Sequence, residues 1–347
     1  MKYRKLGRTD IDVSVICLGT MTWGQQNNQA EAFEQMDYAL AQGVNFFDTA
    51  ELYSIPPQAA TQGSTETIIG NWLQQSGKRN EIILASKIAG PGSGWIDHIR
   101  NGQSRFDRQN IEAALDTSLQ RLQTDYIDLY QLHWPERDTN YFGRLGFAGD
   151  GGDSFTAIEE TLQALAEQVE KGKIRHIGLS NETPWGTMKF LQLAEQMNLP
   201  RIVSVQNPYN LLNRSYEVGM AEVSLREQCG LLAYSPLGFG VLSGKYLNGA
   251  RPAGARITQW PDYARYMSEQ AQAATAEYAA LAEQHGISLT QMALAYVNSR
   301  SFVTANIIGA TTMEQLTENI ATIDLQLDEE VIVGIEAIHT RYPYPSP

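Results

Sequence analysis

The chain is poor in cysteine, in positive charge and in long apolar runs. Its only cysteines, Cys17 and Cys229, form no CxxC pair, so the sequence lacks the pattern of a disulfide framework or of a thiolate metal site. The 26 basic residues are outnumbered by 39 acidic ones, which leaves a formal net charge of −13. Broad binding to nucleic acid or to an anionic membrane is therefore not expected, since both require basic patches.

No apolar stretch approaches the roughly 18 residues that a membrane-spanning helix needs. The N-terminus, MKYRKLGRTDIDVS, has basic residues but no apolar run after them, unlike a secretory signal peptide. We therefore expect a soluble cytoplasmic protein whose partner is a small molecule rather than a nucleic acid or a membrane.

Short apolar segments alternate with longer amphipathic segments from about residue 15 to the end. After a hairpin at Tyr3–Val13, the predicted strands are Val15–Gly19, Val44–Asp48, Ile82–Lys87, Ile127–His133, Ile174–Ser180, Ile202–Gln206, Leu231–Ser235 and Thr304–Gly309. Helical patterns follow each of them, and a last helix is predicted at about Asp328–His339. Strand–helix alternation predicts parallel βα units, and eight units favour a closed (β/α)8 TIM barrel over an open sheet. No segment has the composition of a linker, so residues 1–347 are predicted to form a single domain.

Four segments are longer than ordinary connections between a strand and a helix. They are Ser54–Thr65, Ala89–Asp107, Trp134–Phe155 and Ser243–Tyr266, and all are rich in Gly, Pro, Asn or Ser. Each follows a predicted strand, so each is expected at the C-terminal face, where barrel enzymes place their sites.

Polar side chains end several of the apolar strands. Asp48 ends the second strand and Tyr53 follows five residues later, Lys87 ends the third strand, and His133 ends the fourth. Each residue alone has an ordinary explanation, such as turn formation, packing or a solvated strand end. Together they converge on one end of one barrel, which favours a functional site.

These four side chains suit the reduction of a carbonyl group. Hydride transfer leaves negative charge on the carbonyl oxygen, and Tyr53 could supply the proton that meets it. An ammonium about 4 Å from the phenol is worth about 4 kcal/mol at an effective dielectric of ~20, which would lower the phenol pKa from ~10 towards 7. Lys87 suits that role. Asp48 would keep the lysine charged, but its own negative charge would make the fall in the phenol pKa smaller. His133 could orient the substrate.

At this point the sequence resembles the aldo-keto reductase superfamily over nearly its whole length. The resemblance rests on ICLGTMTWG, GVNFFDTAELY, ILASK, YIDLYQLHWP, IRHIGLSN, VQNPYNLLNR, LLAYSPLGFGVLSGKY and IIGATTMEQLTENI. The later motifs are most similar to the branch that contains potassium-channel β-subunits and bacterial Tas-like reductases. The resemblance implies a catalytic tetrad formed by Asp48, Tyr53, Lys87 and His133.

The resemblance also implies where a nicotinamide cofactor, NADP (NADPH), binds. Ser180, Asn181 and Gln206 would hold the carboxamide, and Tyr234 would stack on the nicotinamide ring. The pyrophosphate would be wrapped by Ser235, Pro236, Leu237, Gly238, Gly240, Gly244 and Lys245, and the adenosine end by Gly309, Gln315, Glu318 and Asn319. No GxGxxG follows the first strand, so a Rossmann site is not indicated.

Other functions stay open on the sequence alone. The main alternative is an NADPH-binding redox sensor or regulatory subunit with slow or vestigial turnover. A Schiff-base aldolase using Lys87 has little use for Asp48 beside the lysine, and the five histidines form no HxH or HExxH pair for a metal. The substrate and the oligomeric state are not predicted, although Trp23, Tyr53, Trp95, Trp134 and Tyr141 could line an apolar cleft.

Overall fold

Eight parallel strands close into a barrel in the structure, a computed structural model that describes residues 1–152 and 154–346. An antiparallel hairpin precedes them, formed by β1 (Tyr3–Lys5) and β2 (Asp12–Ser14). The barrel strands are β3 (Ile16–Gly19), β4 (Phe46–Asp48), β5 (Ile83–Ile88), β6 (Ile127–Leu132), β7 (Ile174–Ser180), β8 (Ile202–Pro208), β9 (Gly230–Tyr234) and β10 (Val303–Ile308). Each strand pairs with the next one along the chain, and β10 pairs with β3 to close the ring. The predicted TIM barrel with its N-terminal hairpin is confirmed.

Helices surround the barrel on the outside. They are α1 (Gln29–Ala41), α2 (Ser64–Ser76), α3 (Arg108–Leu122), α4 (Ile158–Glu170), α5 (Pro184–Gln196), α6 (Tyr216–Glu227), α7 (Arg256–Gln259), α8 (Glu269–Gln284), α9 (Leu289–Ser299), α10 (Met313–Ala321) and α11 (Glu329–Arg341). Several begin at side chains that accept a backbone hydrogen bond, as in the capping box of Asn28 with Glu31. In the described part of the chain, no helix is both long and apolar enough to cross a bilayer.

The predicted strands, the hairpin and the last helix lie within two residues of the observed elements, and helices follow the barrel strands as predicted. The short helix α7 was not predicted, because it has one turn and buries only Ile257, which leaves no periodic pattern in the sequence. The predicted long segment Trp134–Phe155 includes Asp153, which lies outside the described residues.

Alternate residues of the barrel strands face its interior, and the hairpin covers the amino-terminal end. Leu6 and Val13 of the hairpin region pack with inward residues of the strands, including Phe46, Leu129 and Leu232. Outward residues pack under the helices in a separate and larger core. Because the amino-terminal end is filled with apolar side chains, the polar residues near the carboxyl ends of the strands lie at the opposite end.

Close packing between α2 and α3 makes Gly70 a sensitive position. A Cβ atom at Gly70 would lie 2.2 Å from the carbonyl oxygen of Arg121 and 2.8 Å from the carbonyl carbon of Leu122. Both are backbone atoms, so they cannot move aside as the end of a flexible side chain could.

We expect Gly70→Ala to lower the free energy of unfolding by about 1–3 kcal/mol, because the added methyl group forces the two helices apart. Equilibrium urea unfolding followed by circular dichroism measures the change. Gln75→Ala on an exposed position of the same helix is the matched control and should stay within about 0.5 kcal/mol of the wild type. Equal stability of the two variants would contradict this account of the packing.

Candidate active site

The centre of the site is the fully buried ammonium group of Lys87. Its Nζ donates to Oδ2 of Asp48 at 2.7 Å, to the carbonyl oxygen of Thr49 at 2.8 Å and to the hydroxyl of Tyr53 at 3.4 Å. An ammonium group has three N–H donors, and three acceptors surround this one. The geometry therefore brings the predicted Asp48, Tyr53 and Lys87 into one cluster.

The other carboxylate oxygen of Asp48 is held by two amides that reach it from β6 and β8, neither of which pairs with β4. Oδ1 accepts from Nε2 of Gln206 at 2.8 Å and from Nε2 of Gln131 at 3.2 Å. Gln131 was missed by the sequence analysis, although it stands within an otherwise apolar part of its strand and two residues before His133. Its buried position in β6 makes it part of the polar layer beneath the site.

Burial and charge oppose each other at Tyr53 and Lys87. Burial raises the pKa of Tyr53, Lys87 lowers it and Asp48 raises it, and the net pKa is above the ordinary phenol value. The expected fall of the Tyr53 pKa towards 7 is therefore wrong for this structure, because desolvation outweighs an ammonium that is already shared with Asp48. Burial lowers the pKa of Lys87, but Asp48 and Tyr53 raise it by more. The net pKa is above the ordinary lysine value, so the lysine stays charged.

His133 lies directly after β6 and is buried beside Tyr53. The two ring centroids are 5.8 Å apart, with the planes at 74°. Burial, and then the charge of Lys87, hold the pKa of His133 well below its usual range, so the imidazole is neutral at pH 7. Its Nδ1 atom is buried without a hydrogen-bond partner, which leaves that nitrogen unused by the described protein groups.

The residues expected at the nicotinamide end join the same network. Asn181 has a left-handed backbone (φ 53°), and its amide nitrogen donates to the carbonyl oxygen of His133 at 2.8 Å. The hydroxyl of Tyr234 donates to Oδ1 of Asn181 at 2.6 Å. The hydroxyl of Ser180 donates to the carbonyl oxygen of Gln206 at 2.8 Å. The carboxyl ends of β6, β7, β8 and β9 are thereby tied together beside the cluster.

The segment from Ser235 to Lys245 leaves β9 as a tight turn. Gly238, Gly240 and Gly244 all have positive φ, at 52°, 90° and 78°, a conformation that glycine adopts without strain. A Cβ atom at Gly240 would lie 2.7 Å from Cε of Lys245. The end of the lysine side chain could move aside, so it is the φ of 90° that favours glycine here, and the turn presents backbone beside a cationic side chain.

Several cations near this turn have no carboxylate partner within the described residues, among them Arg265, whose guanidinium lies 5.5 Å from the ring centroid of Phe239. Lys245 and Arg256 form no ion pair among residues 1–152 and 154–346. Burial lowers the pKa of both, and Arg256 also lowers the pKa of Lys245. Arg256 was not predicted as a site residue, because it begins the one-turn helix α7, which leaves no periodic pattern in the sequence. Two adjacent unpaired cations favour an anionic ligand.

The residues expected at the adenosine end lie around the start of α10. Asn319 donates to the carbonyl oxygen of Gly309 at 3.3 Å. Oε1 of Gln315 accepts from the backbone N–H of Thr311 at 2.9 Å, and Glu318 accepts from the hydroxyl of Ser288 at 2.6 Å. Contacts within the protein thus hold the side chains of Gln315 and Asn319 beside the carboxyl end of β10, and that of Glu318 beside the start of α9.

Aromatic rings extend from His133 towards solvent. Trp134 lies 4.9 Å from His133 between centroids, and Trp95 and Phe142 lie 5.3 Å and 5.4 Å from Trp134. Tyr141 packs on Phe142 at 5.3 Å. These contacts agree with the expected positions of Trp95, Trp134 and Tyr141 next to the site.

Trp23 does not belong to that group. It is fully buried in the main core, and its indole N–H donates to Oε1 of Gln35 at 3.1 Å. The expectation that Trp23 lines the cleft is wrong, because its ring turns outward from the barrel to pack under the helices.

The neutral state of His133 predicts a pH dependence of stability. In the unfolded chain its pKa is about 6.5, whereas the folded pKa lies well below that value. Below pH ~6.5 the unfolded state binds a proton that the folded state does not, so stability is lost as the pH falls.

Between pH 7 and pH 5.5 we expect the wild type to lose about 1 kcal/mol more stability than His133→Gln, which has no imidazole to protonate. Urea unfolding at both pH values measures this difference. All other groups are common to the two proteins and cancel in the comparison. Identical pH dependence of the two proteins would show that His133 does not titrate below its ordinary pKa.

The sequence of the whole chain is similar to those of several known proteins. The model of the aldo/keto reductase family matches residues 15–340. The chain is 53% identical to Protein tas of Escherichia coli (strain K12) over 347 residues, which is 100% of both chains. It is 35% identical to the uncharacterized oxidoreductase YrpG of Bacillus subtilis (strain 168), over 96% of this chain and 94% of the relative. It is 38% identical to an aldo-keto reductase of Babesia bovis, over 70% of this chain and 89% of the relative. The barrel and the strand-end residues therefore belong to a member of the aldo/keto reductase family, similar to the Tas proteins.

Proposed function

We propose that the protein is an NADPH-dependent reductase that converts aldehydes or ketones to alcohols, with Tyr53 as the general acid. The observation that carries the proposal is the buried ammonium of Lys87, held 2.7 Å from Asp48 and 3.4 Å from the hydroxyl of Tyr53. A phenol beside a fixed cation can give up its proton to a developing alkoxide, because the cation stabilises the phenolate that remains.

The raised pKa of Tyr53 fits this role. Burial keeps the phenol protonated at neutral pH, so Tyr53 still carries its proton when a substrate binds. When the proton leaves, the new phenolate lies beside Lys87, whose charge Asp48 secures. A bound reduced nicotinamide would supply the hydride. The protein groups therefore need only to orient the carbonyl oxygen, exclude water and deliver the proton.

His133 is proposed to orient the substrate oxygen rather than to protonate it. A neutral imidazole is a weak acid but a competent hydrogen-bond donor. The ring stands edge to face with Tyr53 at 5.8 Å, so both side chains can approach the same oxygen atom. This arrangement leaves Tyr53 as the acid and His133 as the positioning donor.

The residues around the carboxyl ends of β7 to β10 fit a phosphorylated dinucleotide. Ser180, Asn181 and Gln206 present amide and hydroxyl groups suited to a carboxamide, and Tyr234 presents a ring beside them. The glycine turn allows close backbone approach, and the unpaired Lys245 and Arg256 supply positive charge for phosphates. The remaining proposed contacts are made by Ser235, Pro236, Leu237, Gly238, Gly240, Gly244, Gly309, Gln315, Glu318 and Asn319.

Domain organisation and cellular location follow the same proposal. We infer that residues 1–347 act as one catalytic domain on a small carbonyl compound. We also propose a cytoplasmic location, which suits the two cysteines, since Cys17 and Cys229 are both buried and unbonded.

A second candidate function is an NADPH-binding redox sensor with slow turnover. Both functions use the same bound cofactor, and they differ in how fast Tyr53 delivers its proton. Comparison of single-turnover oxidation of bound NADPH by a carbonyl panel with steady-state rates separates the two functions. Fast oxidation in both experiments supports the reductase, whereas one slow turnover supports the sensor.

Tyr53→Phe removes the proposed proton donor without changing the shape of the ring. We expect kcat for carbonyl reduction to fall about 10²–10⁴-fold, the usual worth of a general acid, while NADPH affinity stays within a few-fold. Steady-state kinetics and NADPH fluorescence titration measure the two quantities. Tyr342→Phe near the chain end is the control and should retain the full rate. A Tyr53→Phe enzyme that keeps most of its rate would assign the proton to another group.

Arg256→Gln tests the proposed phosphate site. Loss of a charged hydrogen-bond donor costs about 1.5–3 kcal/mol, so the Kd for NADPH should rise about 10–100-fold, while kcat at saturating NADPH changes little. Arg251→Gln in the same segment is the matched control, because Arg251 is exposed and donates a hydrogen bond to the carbonyl oxygen of the adjacent Ala250. Unchanged NADPH affinity in Arg256→Gln would remove Arg256 from the cofactor site.

A further inference from the structure

Glu51 lies between Asp48 and Tyr53 in the AELY segment and is almost fully buried. Its carboxylate accepts two hydrogen bonds from Arg100, each at 2.7 Å. Oε1 also accepts from the backbone N–H of Ala89 at 2.6 Å. A buried carboxylate in a two-pronged pair with arginine is fixed in direction as well as in position.

The partner arginine belongs to the long segment between β5 and α3. Arg100 and Asn101 both have positive φ, at 46° and 54°, so the chain turns sharply there. Arg100 also donates to the hydroxyl of Ser104 at 2.6 Å, and Ser104 donates to the carbonyl oxygen of Ala89. Arg100 and Ser104 are thus linked to Ala89, which lies at the start of the same segment.

The same two segments meet again through apolar contacts. Tyr53 and Trp134 pack in one small cluster with Ala89, Ile96 and Ile99. The segment also carries Trp95, which continues the row of rings from the site. One cluster therefore connects the ion pair, the proposed proton donor and the wall of the cleft.

Glu51 is also attached to the strand that carries the lysine. Its backbone N–H donates to the carbonyl oxygen of Lys87 at 3.1 Å. The short link from Glu51 to Tyr53 is therefore anchored at β5 through its backbone and at Arg100 through its side chain. No other carboxylate within the described residues binds Arg100, so removal of Glu51 would leave a largely buried cation unpaired.

We propose that Glu51 is a positioning residue, whose ion pair with Arg100 sets the approach of Tyr53 to Lys87 and holds the segment 89–107 against the site. This inference rests on the proposed function, because it concerns the proton donor of that reaction. Displacement of a reacting group by about 1 Å can cost on the order of 10²-fold in rate.

The chain contains a matched pair that should not have this effect. Glu66 and Arg121 are 2.7 Å apart, with side-chain exposures of 0% and 15%, against 2% and 18% for Glu51 and Arg100. They join α2 to α3 on the outside of the barrel. Glu66 also accepts from Ser86, whose side chain points away from the face that carries Lys87 because strand residues alternate.

The experiment compares Glu51→Gln with Glu66→Gln in the full-length protein with NADPH and a carbonyl substrate. For Glu51→Gln we expect kcat to fall at least tenfold, KM for NADPH to stay within threefold, and the solvent deuterium isotope effect on kcat to increase. Glu66→Gln should keep kcat within twofold despite a similar fall in Tm. The inference is overturned if Glu51→Gln keeps kcat within twofold, or if Glu66→Gln loses as much.

Arg100→Met tests the pair from the other side. It should reproduce the loss of kcat, and the double variant with Glu51→Gln should be no slower than the slower single variant, since both remove one interaction. Multiplying losses would show that the two residues act separately and would overturn the inference.

Amide hydrogen exchange gives a readout that needs no turnover. We expect Glu51→Gln to increase exchange in both 49–55 and 89–107, and Glu66→Gln to leave both segments unchanged. Increased exchange in 49–55 alone would overturn the inference. If the wild type reduces no carbonyl compound, the proposed reductase function fails, and the exchange data still decide whether the pair holds the two segments together.

Discussion

The structure depends on one buried cation, the ammonium group of Lys87. Transfer of such a charge out of water is costly unless every donor finds an acceptor, and here the acceptors come from β4 and the residues that follow it. Asp48 needs its own donors, which Gln131 and Gln206 provide from β6 and β8. Strand register is therefore strongly constrained, since a slip of one residue would turn Lys87 out of the barrel.

This constraint divides the barrel into two ends. The amino-terminal end is filled by apolar side chains of the strands and by Leu6 and Val13, which supply packing without demanding partners. The carboxyl end concentrates the buried polar groups in a connected network, from Asp48 through Gln206 to Asn181. A network of this kind is stable only when nearly all its members are satisfied, and beside it the Nδ1 atom of His133 and the hydroxyl of Thr49 are buried without a hydrogen-bond partner among the described residues.

Much of the fold and part of the site could be predicted from the sequence, for physical reasons. Periodicity and strand–helix alternation report local geometry, and the closed barrel then brings residues at strand ends such as Asp48, Lys87 and His133 together. Contacts made through irregular segments leave no periodic signal, which is why Arg256 and the partner of Glu51 were missed. The pKa of Tyr53 was expected in the wrong direction, because the balance between desolvation and charge depends on burial that the sequence does not report.

The hairpin that covers the barrel also ties β1 to the chain around the start of the last barrel strand, β10. The guanidinium group of Arg4 donates to the carbonyl oxygens of Val303 and, at 2.7 Å, of Asn298, and β3 pairs with β10. During synthesis the first strand therefore leaves the ribosome long before its last neighbour exists. The nascent chain must keep an open sheet edge on β3 until β10 emerges, so closure of the barrel has to await the synthesis of β10.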